Sequence, residues 1–183
     1  MLLAIAEALE CESETLIQAN EADLMQEREE HLAFPLLKRL VFDKEKITHV
    51  CGQLRQVAQL DDPIGTVAER RLLDESLLLE RVSVPIGTIG MVFESRPDAL
   101  VQIVSLCLKS GNAIVLKGGR EARTTNRAIV KVMERALSRF SATSAWVVHL
   151  EDREEVALML AMDDVIDLVI PRGSNEFVRY IMD

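Results

Sequence analysis

The amino-acid sequence predicts an α/β protein in which a doubly wound parallel sheet follows a helical N-terminal part. Three features predict it. From Gly87 onward, apolar runs of strand length alternate with amphipathic stretches of helix length, joined by short links. Residues 1–60 carry helical rather than strand periodicity. Between these parts lies "LDDPIGTVAE", where Pro63 and Gly65 break both patterns and mark a loop.

At the start of the chain, Leu2, Ile5, Ala6 and Leu9 already recur at helical spacing. The chain is therefore expected to begin inside a packed helix, without a capping residue and with sequence missing upstream. The clearest helix places Ile47, Val50, Cys51, Leu54, Val57 and Ala58 on one apolar stripe. Leu77 to Val84, followed by Pro85, reads as a strand with some polar alternation. Thr88–Phe93 is a buried strand. Pro97 and Asp98 open a helix that turns Leu100, Ile103, Val104, Cys107 and Leu108 inward, and Gly111 stands where a left-handed residue would stop it. Ala113–Leu116 is the next strand. Thr124 or Thr125 is expected to cap a helix reaching Phe140, and Ala145–Val148 is a third strand. Asp152 with Glu155 forms a capping box for a helix ending near Met162. Asp167–Ile170 is a fourth strand, and Gly173-Ser174-Asn175 turns into a last helix. No repeat or low-complexity tract interrupts the series.

Of the 183 residues 49% are apolar, enough for one core. Against 30 Asp and Glu stand 21 Lys and Arg, a formal charge of −9, with no basic cluster among aromatics. A nucleic-acid backbone would meet repulsion. The three cysteines Cys11, Cys51 and Cys107 are widely spaced, which fits a reducing compartment better than a disulfide framework. "MLLAIAEALE" has no basic stretch and turns acidic at Glu7, and no later run is apolar for long enough to cross a bilayer. These features predict a soluble, cytoplasmic protein with neither a nucleic-acid nor a membrane partner.

In an open parallel sheet, ligands bind beyond the carboxyl ends of the strands. Three loops at that edge, "ESRPD", "KGGREARTTN" and "PRGSN", suit an anionic ligand. Lys117 completes "AIVLK". Its stem can lie along the strand while its ammonium reaches a ribose or phosphate, with Gly118 and Gly119 letting backbone N–H groups approach; equally, it can be a lysine snorkelling where a strand meets solvent. Gly173 and Ser174 can cradle a pyrophosphate at a helix N-terminus or simply form a tight turn, since no full glycine fingerprint is present. Ser95 and Arg96 can bind a carboxylate or phosphate, Arg96 in bidentate fashion; their structural alternatives are a helix cap and a surface residue. Cys51 and Cys107 lie on apolar stripes and Cys11 lies in acidic "LECESE", so none suits a nucleophile. His31, His49 and His149 show no metal-ligand spacing.

Together, "VPIGTIGMVFESRPDALVQI", "LKSGNAIVLKGGREA" and "DLVIPRGSNEFVRYIM" resemble the gamma-glutamyl phosphate reductases, or glutamate-5-semialdehyde dehydrogenases, of the aldehyde dehydrogenase superfamily. The same domain forms the C-terminal half of the pyrroline-5-carboxylate synthetases. The similarity runs through "PLLKRL" and "LRQVA", while "FESRPDA" and "IPRGSN" are specific to the reductases. The resemblance implies a Rossmann-like cofactor domain, incomplete at its start. It implies NADPH-dependent reduction of L-glutamyl 5-phosphate to L-glutamate 5-semialdehyde with release of phosphate, in proline synthesis. In that family a cysteine thiolate attacks the acyl phosphate, and hydride from the nicotinamide then reduces the thioester. That cysteine belongs to a downstream catalytic domain and none of Cys11, Cys51 or Cys107 matches it, so residues 1–183 are expected to be inactive alone. Lys117 matches the lysine that contacts the adenosine ribose, and Gly173 and Ser174 match the loop beside the cofactor phosphates. Ser95 and Arg96 occupy the segment where the superfamily places an oxyanion-stabilising asparagine, absent here, so their substrate or oxyanion role stays open. A homo-oligomer is compatible with the full-length protein, whose oligomeric state the residues leave open. The alternative is a catalytically dead module that binds a nucleotide or a partner.

Overall fold

The computed structural model describes residues 1–94, 96–140, 146–152, 154–173, 175 and 178–179. Four helices open the chain: α1 (Leu2–Cys11), α2 (Ser13–Glu29), α3 (Phe34–Leu40) and α4 (Lys44–Gln59). Helix α1 has no side-chain cap, as its sequence predicts, whereas α4 starts at Asp43, whose carboxylate accepts from Lys46 N at 2.9 Å. Leu2, Ile5, Ala6 and Leu9 of α1 join Ile47, Val50, Cys51 and Leu54 of α4 in the main core.

The next elements correct the sequence reading. A hairpin of β1 (Val67–Asp74) and β2 (Leu77–Val82) pairs antiparallel from Val67 opposite Val82 to Asp74 opposite Leu77. Only the second strand was expected, as far as Val84, and residues 67–69 were expected in a loop. The reason is physical: β1 is exposed apart from the half-buried Val67, and β2 is exposed along its whole length. A strand with no buried face carries no alternation to read.

The parallel sheet follows. Its elements are β3 (Thr88–Phe93), α5 (Pro97–Lys109), β4 (Ala113–Lys117), a short 3-10 turn at Arg120–Ala122, α6 (Arg123–Ser138), β5 (Val147–Leu150), α7 (Glu154–Leu160) and β6 (Leu168–Arg172). Strand order is β5-β4-β3-β6, every pair parallel. Ile89, Met91, Phe93, Ile114, Leu116 and Val147 face the main core beneath α5 and α6. Val92, Val115, Leu150 and Val169 face the other way, onto Val156 and Met159 of α7. The chain therefore builds outward from β3 to β5, then crosses the opposite face through α7 to lay β6 against the free side of β3. That is the doubly wound arrangement the sequence predicts, with its reversal between β3 and β6.

Helix α5 ends as expected. Gly111 adopts φ 72°, Gly111 N donates to Leu108 O at 3.3 Å and Asn112 N to Cys107 O at 2.9 Å, a Schellman motif. The Asn112 amide oxygen then accepts from Ile86 N (2.7 Å) and Gly87 N (2.9 Å), tying the end of α5 to the approach to β3.

Helix α6 is capped otherwise than predicted. Neither Thr124 nor Thr125 caps it; Asp23 of α2 accepts from Thr124 N (3.1 Å), Thr125 N (2.8 Å) and the Thr125 hydroxyl (2.6 Å). A buried carboxylate answers several donors at the positive end of a helix, which a threonine hydroxyl cannot. Half of the other predicted cap is present: a Glu155 oxygen accepts from Glu151 N (2.7 Å) and Asp152 N (2.8 Å), while the Asp152 carboxylate pairs with Arg123 at 3.1 Å. Smaller shifts of boundary put β5 two residues later and extend β6 through Arg172. Ala145 and Ser174 lie outside the described residues, and Asn175, Val178 and Arg179 are helical where the last helix was expected. Among the described residues no helix is long and apolar enough to cross a membrane.

Candidate functional site

Strand β4 ends on Lys117, paired in register with Val92 of β3 and Leu150 of β5. All three loops that leave these strands therefore face one cleft, of about 810 Å³. One wall is apolar, built by Val92 and Phe93 of the sheet and by Val156, Ala157 and Leu160 of α7. The rest is charged, with Lys117, Arg120 and Arg123 set among Glu94, Glu121, Glu151 and Asp152.

The three cations differ in how they are occupied. Arg120 pairs with Glu30 at 2.8 Å, and Arg123 with Glu151 at 3.0 Å and Asp152 at 3.1 Å. The hydrogen bond from Arg127, opposed by burial and aided by Arg123, holds the Glu151 carboxyl down at about 2, so this rim pairing persists throughout the physiological range. Lys117 has no carboxylate at ion-pair distance among the described residues; its Nζ donates to Gly118 O at 2.6 Å. Burial lowers the Lys117 pKa from its ordinary value, against the pull of Glu121 and Glu155. A half-buried ammonium without a counter-ion is costly, and an anionic or hydroxyl-bearing ligand would relieve it.

Gly118 and Gly119 both line this cleft. At Gly118 a Cβ would lie 2.3 Å from Asn126 Nδ2 and 3.2 Å from the Phe93 ring, so the backbone turns there only because the side chain is absent. Asn126 is fully buried, and among the described residues neither its amide nitrogen nor its oxygen has a partner.

A second crevice, of about 400 Å³, opens at the carboxyl ends of β3 and β6. It shares Phe93 and Glu94 with the first and adds Arg39, Arg96, Ala99, Arg172 and Gly173. Arg96 stands at the start of α5 and is forked onto Asp98, at 2.7 Å and 3.4 Å. Burial pushes the Asp98 carboxyl up, but Arg96 and Lys46 overcome this and hold it below its ordinary value. Ser95 and Ser174, predicted site residues, lie outside the described residues.

The structure thus brings Lys117, Gly118 and Gly119 to one cavity and Arg96 and Gly173 to its neighbour. Sequence reading missed Arg39, which comes from a distant helix and carries no local signal. It also missed Arg172, which stood in the quoted "PRGSN" beside the glycine that drew attention, and the apolar wall from α7. The cysteines behave as expected: burial pushes the Cys51 and Cys107 thiols up to about 11, and no cysteine lines either cavity. Among the described residues no group of His, Cys, Asp and Glu could hold a metal ion.

No protein-family model matches the chain. The chain is 52% identical over 182 residues to a gamma-glutamyl phosphate reductase of Ruminiclostridium cellulolyticum, covering 100% of this chain and 42% of that protein. The crystal structure of gamma-glutamyl phosphate reductase from Thermotoga maritima superimposes with a TM-score of 0.95 at 34% identity, over 100% of this chain and 44% of that one. Propionaldehyde dehydrogenase of Rhodopseudomonas palustris, solved with bound CoA, shares the fold alone, with a TM-score of 0.67 at 18% identity over 99% of this chain and 38% of that one. The chain spans less than half the length of the curated relatives it matches.

Proposed function

We propose that this chain, similar throughout to gamma-glutamyl phosphate reductases, is the cofactor-binding part of such an enzyme. The reaction is NADPH-dependent reduction of L-glutamyl 5-phosphate to L-glutamate 5-semialdehyde, with release of phosphate. The observation that carries this reading is Lys117, the cation of the larger cleft that has no counter-ion among the described residues, beside an apolar wall. Nucleotides require that pairing, a surface for the base and a donor for the ribose and phosphates.

In this reading Val156, Ala157 and Leu160 receive the adenine, Lys117 donates to its ribose, and Gly118 and Gly119 keep the approach open. Gly173 and Ser174 lie along the phosphates. Bound there, the dinucleotide supplies hydride to the acyl carbon of the substrate. The chain's own part is to bind and orient. Cys51 and Cys107 are buried with thiols near 11, and Cys11, though exposed, lines neither cavity; in this reading the attacking thiolate is supplied from outside residues 1–183 and the chain alone does not turn over.

Titration of NADPH, followed by fluorescence of its nicotinamide, tests the binding half. Saturable binding is expected, weakened about tenfold or more by Lys117→Ala, because a charge-assisted hydrogen bond contributes about 1.5–3 kcal/mol. Absence of binding to the unmodified chain would sink the proposal. NADPH oxidation dependent on glutamyl phosphate by residues 1–183 alone would overturn the assignment of the nucleophile.

A further inference from the structure

Among the described residues, Asn126 is the buried side chain whose polar atoms are left over: neither Nδ2 nor Oδ1 has a hydrogen-bond partner. The residue beside it shows no such neglect, since the Thr125 hydroxyl serves both Asp23 and Asn20. A buried amide without partners is costly, and an apolar side chain of the same size would avoid the cost. The place of this amide is informative. Its Nδ2 lies 2.3 Å from where a Gly118 Cβ would stand, so it covers the inner side of the turn whose outer side lines the larger cleft. On that outer side Lys117 Nζ donates to Gly118 O at 2.6 Å. The carbonyl therefore faces the ammonium and the cleft, and because the peptide is planar and trans, the N–H of Gly119 points away from them. Such a turn is poorly set for an anionic ligand: the ammonium is occupied, and a carbonyl oxygen faces the approach.

We propose that Asn126 is a positioning residue of the nucleotide site, whose amide receives the Gly118 carbonyl when the Gly118–Gly119 peptide turns over on ligand binding. The inference rests on the function proposed above. One rotation does three things. It releases Lys117 Nζ to the ligand, it swings the N–H of Gly119 into the cleft as a second donor, and it gives Asn126 Nδ2 an acceptor. Asn126 itself never touches the ligand. The rotation carries Gly119 from its present φ of −60° to the positive side, which glycine enters without strain, so the pair of glycines is what makes it possible. The unpartnered amide raises the free energy of the empty site, and binding relieves it, which favours the turned form only when ligand is present.

NADPH titration of the unmodified chain, Asn126→Leu and Gly119→Ala, with thermal melting of each free protein, tests this. Asn126→Leu keeps the volume and discards the amide. It is expected to raise the melting temperature by about 1–3 °C and yet weaken NADPH about threefold to tenfold. An asparagine that merely packs would move stability and affinity in the same direction. Gly119→Ala should melt as the unmodified chain does, because φ −60° suits alanine and the neighbouring Glu121 carboxylate ends a flexible side chain; it should bind NADPH about tenfold more weakly, because the turned form has positive φ. In a nitrogen–proton correlation spectrum, the Asn126 side-chain amide pair and the Gly119 N–H should both shift when NADPH is added. Unchanged affinity in either variant, or an Asn126 amide pair that stays in place on binding, overturns the positioning role and leaves the proposed function standing. A fall in both melting temperature and affinity for Asn126→Leu makes it a packing residue and overturns the role as well. Should that variant fail to fold, the amide shift and Gly119→Ala decide. Absence of NADPH binding to the unmodified chain removes the proposed function and this inference together.

Discussion

Two of the contacts that the N-terminal helices make are built of different materials. Helix α1 meets α4 through hydrocarbon, with Ile5, Ala6 and Leu9 against Val50, Cys51 and Leu54. Helix α2 meets α6 through polar groups. On its buried face stand Asn20, Asp23 and Glu27. Asn20 donates to Leu40 O (2.9 Å) and the Thr125 hydroxyl (3.2 Å) and accepts from Phe42 N (2.7 Å), while Asp23 caps α6. The apolar contact is strong but indifferent to detail. The polar one fixes where α6 begins, and α6 is separated from Lys117 at the end of β4 only by Gly118, Gly119 and the 3-10 turn. Position at the site is thus set by the contact that hydrophobicity does not reveal.

Breaking the apolar side should produce the largest effect. Leu9→Ala removes a fully buried side chain and is expected to destabilise by about 2–5 kcal/mol in urea denaturation. Next, Asp23→Ala strands the Thr124 and Thr125 donors and should cost about 2–3 kcal/mol, whereas Asp23→Asn keeps one acceptor and should recover part of that. If the comparison is sound, Asp23→Ala also weakens NADPH binding more than Leu9→Ala does, since only the former releases the start of α6. Equal losses of affinity would dissolve the distinction.

A smaller effect tests the polar contact through pH. Burial, and then repulsion from Glu30 and Glu121, raises the Glu27 pKa above its ordinary 4.5. The folded state therefore holds this proton more tightly than the unfolded chain. The benefit of neutral Glu27 is complete below pH 4.5 and is lost as pH rises through the folded-state value. Glu27→Gln should accordingly raise the melting temperature at neutral pH by about 1–3 °C and change nothing in acid. A gain that persists unchanged below the ordinary carboxylate pKa would point to packing instead. The smallest effect belongs to the exposed pair Arg55 and Glu10, which spans α1 and α4 at 2.6 Å. Arg55→Ala should shift the urea midpoint least of these variants, and less still in high salt.

The same contrast explains what was legible in the sequence. The parallel strands could be read as short apolar runs because the sheet is covered on both faces, and α5 with its glycine stop and α4 with its stripe because each buries one apolar face whose period declares it. The hairpin could not, having no buried face, nor could the true cap of α6, whose acceptor lies about a hundred residues upstream in α2. At the site, Lys117 and the glycines after it stood out locally as a break in an apolar run. Arg39 and Arg172 became interesting only once the topology brought α3 and β6 to the same crevice.

The Asn112 amide, which closes α5 back onto Ile86 and Gly87, has a consequence for how the protein folds. It closes a stretch of about 30 residues, β3 to β4, into a unit whose internal pairings span far less chain than the pairing of β3 with β6, so less chain entropy opposes its assembly. That unit would form early, as the template on which β5 and β6 are then laid. Asn112→Ala should therefore slow refolding more than it speeds unfolding, visible as a lowered left arm of the chevron. A variant that shifted only the unfolding arm would mean that the lock closes after the rate-limiting step.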